Sequence, residues 1–126
     1  MNHRPVAIGI ILCEQIIVDE KSRNVTPVNC FAARKLERFP GVADFRVVAW
    51  LADGLGDMLV EVIVEKLDSM DEVFRLESRL QFDDPLTDKR FFAHIRDCPF
   101  PVAGQYVVSL FVDRELIAHR KIRVHL

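Results

Sequence analysis

Between Phe74 and Phe82 the apolar side chains fall on Phe74, Leu76, Leu80 and Phe82, while Arg75, Glu77, Arg79 and Gln81 fall between them. Only Ser78 interrupts the pattern. The same rhythm returns at Tyr106, Val108, Leu110 and Val112. A period of two is the signature of strands with one dry face and one wet face. Turn-rich stretches recur at short intervals: Asp19–Asn24, Phe39–Gly41, Asp53–Asp57, Asp68–Asp71, Asp83–Asp88, Pro99–Gly104 and Asp113–Glu115. Between them lie strand-like runs near 7–17, 25–36, 44–52, 57–67, 72–82, 90–96, 104–112 and 116–125. Strands spaced this closely, with no amphipathic helix between them, predict an all-β fold: one antiparallel β-sandwich of seven to nine strands. The piece Ala32–Phe39 has helical propensity but is short. It reads as a strand end or a single turn.

The chain has 126 residues, which fits a single domain over 1–126. Half of the residues are hydrophobic, so a packed core needs no staples. Seventeen basic residues against nineteen acidic give a net charge of −2, which argues against a nucleic-acid partner. The apolar run Val6–Cys13 follows a basic N-terminus, as in a signal sequence. It is short, Glu14 follows at once, and Leu12 stands where a lipoprotein peptidase needs a small residue. It reads as a first strand. No run is long enough for a membrane-spanning helix. A soluble cytoplasmic protein is expected. Three cysteines, with no metal-ligand spacing, suit a reducing compartment. Cys13, Cys30 and Cys98 are expected to be buried, unpaired thiols.

Two hairpins can be registered. In the first, Val18 faces Val25, Lys21-Ser22 forms the turn, and Cys13 lies opposite Cys30. Two reduced thiols sharing a buried face are the expected state of that pair, with a disulfide as the alternative. In the second, complementary charge sets Glu65 against Arg75 and Glu61 against Arg79, with Val64, Val60 and Met58 facing Leu76, Leu80 and Phe82. A slip of two residues would put Glu61 against Glu77, a like-charge pair.

Gly104-Gln105-Tyr106, followed by the alternating Val108, Leu110 and Val112, resembles the late-strand pattern of immunoglobulin-like sandwiches. The resemblance implies a corner tied by the Tyr106 hydroxyl and a buried Trp50 in the third strand. Val108 stands where such domains often place their second cysteine, so no inter-sheet disulfide is implied. The chain as a whole is similar to a small bacterial family of uncharacterised domains. The matching residues are Ile11-Leu12-Cys13-Glu14, Val18-Asp19, Phe39-Pro40, Pro99-Phe100-Pro101, Gly104-Gln105-Tyr106 and Val112–Ala118. That resemblance implies a fold and no activity.

Candidate chemistry is sparse. There is no nucleophile elbow, P-loop, dinucleotide fingerprint or zinc-like His spacing, and no cofactor is implied. Asp53, Asp57, Asp83 and Asp84 sit in turns. They read as turn formers, with a calcium-type loop site as the alternative. His119, Lys121 and Arg123 alternate along the last strand as a basic ridge. It reads as a charged edge that blocks aggregation, or as a docking site for an acidic partner. Cys98 follows Arg96 and Asp97, and Arg96 would favour its thiolate if it lay near the surface. Phe91-Phe92 and Pro99–Val102 divide between core and an interface patch. The expected function is a non-enzymatic protein-binding or assembly module, engaging a protein partner or itself. The alternative is a small metal-dependent or ligand-binding domain.

Overall fold

A computed structural model describes residues 2–126. Ten strands follow in order, with no helix among the described residues: β1 (Val6–Cys13), β2 (Gln15–Val18), β3 (Val25–Val28), β4 (Ala33–Lys35), β5 (Gly41–Ala52), β6 (Gly56–Lys66), β7 (Glu72–Phe82), β8 (Lys89–Phe100), β9 (Gly104–Val112) and β10 (Glu115–His125). The smaller sheet has the order β1-β5-β8 and the larger β4-β10-β9-β6-β7. Strands β2 and β3 form a separate hairpin. Among the described residues no helix is long and apolar enough to cross a membrane.

The two sheets pack face to face through the alternating residues. Phe45, Val47, Ala49, Leu51, Phe91, Ala93 and Ile95 come from the smaller sheet. Met58, Val60, Val62, Val64, Tyr106, Val108, Leu110, Val112, Ile122 and Val124 come from the larger. This is a β-sandwich with immunoglobulin-like strand order, in which the last strand sits beside the penultimate one and that beside an earlier one. The tyrosine corner is present. The Tyr106 hydroxyl donates to the Val102 carbonyl at 2.7 Å, and its ring meets Phe100 edge-on at 4.9 Å. Trp50 departs from the expectation. It lies on β5, faces away from the main core and is half-buried, because the inward positions of β5 are Val47, Ala49 and Leu51.

There are ten strands rather than seven to nine because two runs are cut. Glu14 bends the first run into β1 and β2, and Asn29, in a left-handed conformation with φ 54°, ends β3. The chain then crosses to the larger sheet, where β4 pairs parallel to β10. Ala32–Phe39 thus contributes a short strand, and one pairing is not antiparallel. The β2–β3 hairpin lies across the outer side of the smaller sheet. The Arg90 guanidinium donates to the Arg23 carbonyl at its tip, and Val48, on that side, is fully buried. Its register has Val18 opposite Val25 as expected. The Asp19 carboxylate accepts bonds from the Lys21 and Ser22 amides at 3.1 and 2.7 Å, so the loop is wider than two residues.

The β6–β7 register differs from the charge-based expectation by two residues. Glu61 faces Glu77, Val64 faces Phe74 and Met58 faces Leu80. Two forces outweigh direct charge pairing. The loop closes with the Met70 amide bonded to the Lys66 carbonyl at 2.7 Å and Met70 left-handed at φ 59°, and loop geometry fixes hairpin register. Arg75 then serves several carboxylates at once. It bonds Glu61, bonds Glu72 at 2.8 Å and lies 3.9 Å from Glu77. A shared guanidinium replaces two opposed pairs.

These ion pairs predict the acid response. Hydrogen bonds from Arg75 hold the Glu72 carboxyl below its ordinary range, and Lys66 does the same for Asp68. The backbone amide of Ser22 lowers Asp19. Each contribution is complete above the ordinary carboxylate range and is lost as pH falls through the lowered folded value. His94 is held below 6.5 by burial, then by Arg46 and Arg96. Protonating it opposes folding, so stability also falls as pH drops below 6.5 towards its folded value. The urea midpoint is therefore expected to be highest near neutrality and to decline in two stages on acidification, the second below about pH 4.5. A midpoint that rises on acidification would contradict this account. The carboxylates are exposed and His94 is only half-buried, so the decline is expected to be shallow.

Candidate protein-binding face

The outer face of the larger sheet is built from four adjacent strands. Register places Leu116, Phe111, Glu61 and Glu77 in one row, and His119, Ser109, Ile63 and Arg75 in the next. Lys121, Val107 and Glu65 follow, then Arg123 beside Gln105. Among the described residues no further sheet lies over this face: the β1-β5-β8 sheet packs on its other side, with the β2–β3 hairpin beyond that sheet. Even so, Ile63, Val107 and Ser109 are only 7%, 6% and 5% exposed, sheltered by the longer side chains around them. Phe111 is half-buried and Leu116 is exposed. The centre of the face is therefore apolar. His119, Lys121 and Arg123 make one rim, and the Glu61/Glu72/Arg75/Glu77 cluster makes the other.

The predicted ridge is thus real as a geometric feature. His119, Lys121 and Arg123 are exposed on one face of β10. Beyond β9, only the end of β10 has a neighbour, β4, which pairs with Arg123, Val124 and His125. The apolar centre beside the ridge was not anticipated. With Tyr106, Val108, Leu110 and Val112 on the dry face, period two assigns the alternate positions Val107, Ser109 and Phe111 to the wet one. The signal was there. Arg75, Glu77, Arg79 and Gln81 fill the corresponding positions of β7, whereas β9 has Val107 and Phe111.

The acidic turns do converge on one end of the sandwich. Gly56 pairs with Phe82, and a Cβ on Gly54 would sit 2.5 Å from the Phe82 ring, so the Asp53–Asp57 turn abuts the strand that leads to Asp83 and Asp84. They do not form a donor set. Among the described residues no three His, Cys, Asp or Glu side chains are placed to hold a metal ion. Asp84 is engaged by its own loop, accepting from the Leu86 amide at 2.9 Å and the Thr87 hydroxyl at 3.0 Å. Asp53 is left-handed at φ 63°, a turn role.

Cys98 is fully buried in the main core. Burial pushes its thiol up to about 12, the opposite of the activation expected from Arg96. Cys13 is also buried, but Cys30 is exposed, contrary to expectation, because the chain leaves β3 at Asn29. Phe91 and Phe100 are core, whereas Phe92, on β8, and Val102, in the loop after β8, are exposed at 42% and 45%. A surface cavity of about 520 Å³ is lined by Lys35, Glu37, Arg38, Pro40, Val42 and Pro99. It combines a rim of mixed charge with an apolar floor, and none of its charged side chains is buried.

No family model matches the chain, and no curated protein matches it in sequence. Solved structures do resemble it. The alkylpurine DNA glycosylase AlkC of Pseudomonas fluorescens, bound to DNA containing an abasic site analog, is similar over 93% of this chain, with TM-score 0.50 and 13% identity. The chain spans 30% of that enzyme's length. An immunoglobulin-like protein from Pseudomonas aeruginosa aligns over 97% of both chains, with TM-score 0.46 and 12% identity. At 13% identity the first likeness speaks for the fold alone.

Proposed function

We propose that this protein is a non-enzymatic protein-binding module of the bacterial cytoplasm. Its binding surface is the outer face of the larger sheet, and its occupant is an acidic segment of another protein. One observation carries the reading: an uncovered sheet face with an apolar centre at Ile63, Val107 and Phe111 beside the basic rim of His119, Lys121 and Arg123. An apolar centre inside a charged rim is the general anatomy of protein interfaces. The rim selects and steers a negatively charged partner, and the half-buried Phe111 and exposed Leu116 supply the apolar area left to bury, over the already packed Ile63 and Val107. Unpaired thiols support a reducing compartment. The DNA in the glycosylase structure belongs to that enzyme. A net charge of −2 supports a protein partner instead.

The test is photo-crosslinking in the native lysate with a reactive side chain at Phe111, and separately at Leu86 on the acidic loops. Crosslinks are expected from Phe111 and not from Leu86. The double variant Lys121→Glu/Arg123→Glu should weaken capture about tenfold, equivalent to roughly 1.4 kcal/mol. Capture that ignores the charge reversal, or that comes from Leu86 instead, would sink the reading. Light scattering of the purified protein distinguishes a second copy from a foreign partner. A duplex containing an abasic site is expected to leave fluorescence anisotropy unchanged.

A further inference from the structure

The β2–β3 hairpin closes at its base on two thiols. Gln15 pairs with Val28, and the pairing continues past the strands: the Phe31 amide donates to the Leu12 carbonyl and the Glu14 amide to the Val28 carbonyl, both at 3.0 Å. Cys13 and Cys30 lie between those two bonds. The Glu14–Val28 bond sets Asn29 opposite Cys13 and the Phe31–Leu12 bond sets Cys30 opposite it, so Cys13 faces two residues. A regular non-hydrogen-bonded antiparallel pair brings Cα atoms to about 4.5 Å. That spacing falls within the roughly 4.4–6.8 Å spanned by disulfides. Asn29 is the extra residue on one side, and its left-handed φ of 54° absorbs the bulge. Cys30 is exposed and Cys13 is fully buried. Cys98 lies in the main core, on the opposite side of the smaller sheet from the hairpin.

We propose that Cys13 and Cys30 form a thiol–disulfide exchange site, in which exposed Cys30 reacts with a low-molecular-weight disulfide such as glutathione disulfide and buried Cys13 resolves the adduct. The Cys30 thiolate attacks one sulfur of the external disulfide and expels one glutathione thiolate, leaving a mixed disulfide. Cys13 loses its proton to solvent, and its thiolate attacks the Cys30 sulfur, expelling the second glutathione thiolate. The two protein thiols are oxidised by two electrons, and one external disulfide is reduced to two thiols. Burial, then the nearness of the Cys30 sulfur, raises the Cys13 thiol. The order of attack follows from access. The product ties the base of the hairpin shut across the outer side of the smaller sheet, away from the proposed binding face.

The test is peptide mapping of the native protein after incubation with glutathione disulfide, acid quench and alkylation. A Cys13–Cys30 linked peptide is expected in most molecules, with Cys98 alkylated. Cys13→Ala should accumulate glutathione on Cys30, and Cys30→Ser should take up none while folded. A wild-type protein that stops at the Cys30 mixed disulfide, or that links two chains through Cys30, overturns the proposal. So does a native protein that stays fully reduced under conditions that oxidise the urea-unfolded chain. If Cys13→Ala fails to fold, the wild-type map decides alone.

Discussion

Replacing Phe100 with alanine is expected to destabilise the protein by about 3–5 kcal/mol, the usual cost of emptying an aromatic core site. Phe100 is fully buried and packs edge-on against Tyr106, 4.9 Å between ring centres. Domains of this size are held by only about 5–15 kcal/mol in total, so a large part of the stability should go. The residue does double duty. It fills the space between the sheets, and it props the ring whose hydroxyl bonds Val102 at 2.7 Å. Tyr106→Phe removes that bond and the longer one the hydroxyl accepts from the Val102 amide at 3.4 Å, and should cost about 1 kcal/mol. Urea unfolding of both variants separates the two roles. A Phe100→Ala loss no larger than the roughly 1 kcal/mol of Tyr106→Phe would mean that the corner, rather than the packing, holds this end together.

Cys98 should be almost inert in the folded protein. With its thiol raised from 9.0 to about 12, the thiolate fraction at pH 8 falls about a thousandfold, and alkylation follows the thiolate. Iodoacetamide at pH 8 should label Cys30 in the native state and leave Cys98 unmodified until urea exposes it. Native labelling of Cys98 at the rate found in urea would show that the end of β8 opens readily. The contrast cannot be read from local sequence. Arg96 precedes Cys98 and argues for activation, but Cys98 faces inward, where desolvation outweighs a nearby charge.

The parts of the fold written in side-chain period were legible. Strands β5 to β10 follow the expected runs, the dry faces of β7 and β9 are those of the alternation, and the first hairpin keeps its register. Two kinds of information were hidden. One is loop geometry: Met70 and Asn29 adopt left-handed conformations without being glycine, and these residues set the β6–β7 register and cut the first strands. The other is coverage of both faces. Val107 and Phe111 alternate with a fully apolar set, and period-two reading assigns one member of such a pair to water by default. The basic ridge was visible because charge marks an outer face. The apolar centre beside it became visible only when register set Val107 and Ile63 in neighbouring rows.

The parallel pairing of β4 with β10 has a mechanical consequence. The Arg123 amide bonds the Ala32 carbonyl at 3.0 Å and the Leu36 amide bonds the His125 carbonyl at 2.8 Å. Tension between the two ends of the chain draws parallel neighbours in opposite directions along their length. Once the segment before β4 has pulled free, those bonds are loaded together in shear and do not unzip one at a time. So short a strand then acts as a clasp on the C-terminal end of the chain, and it resists a steady pull better than its length alone would allow.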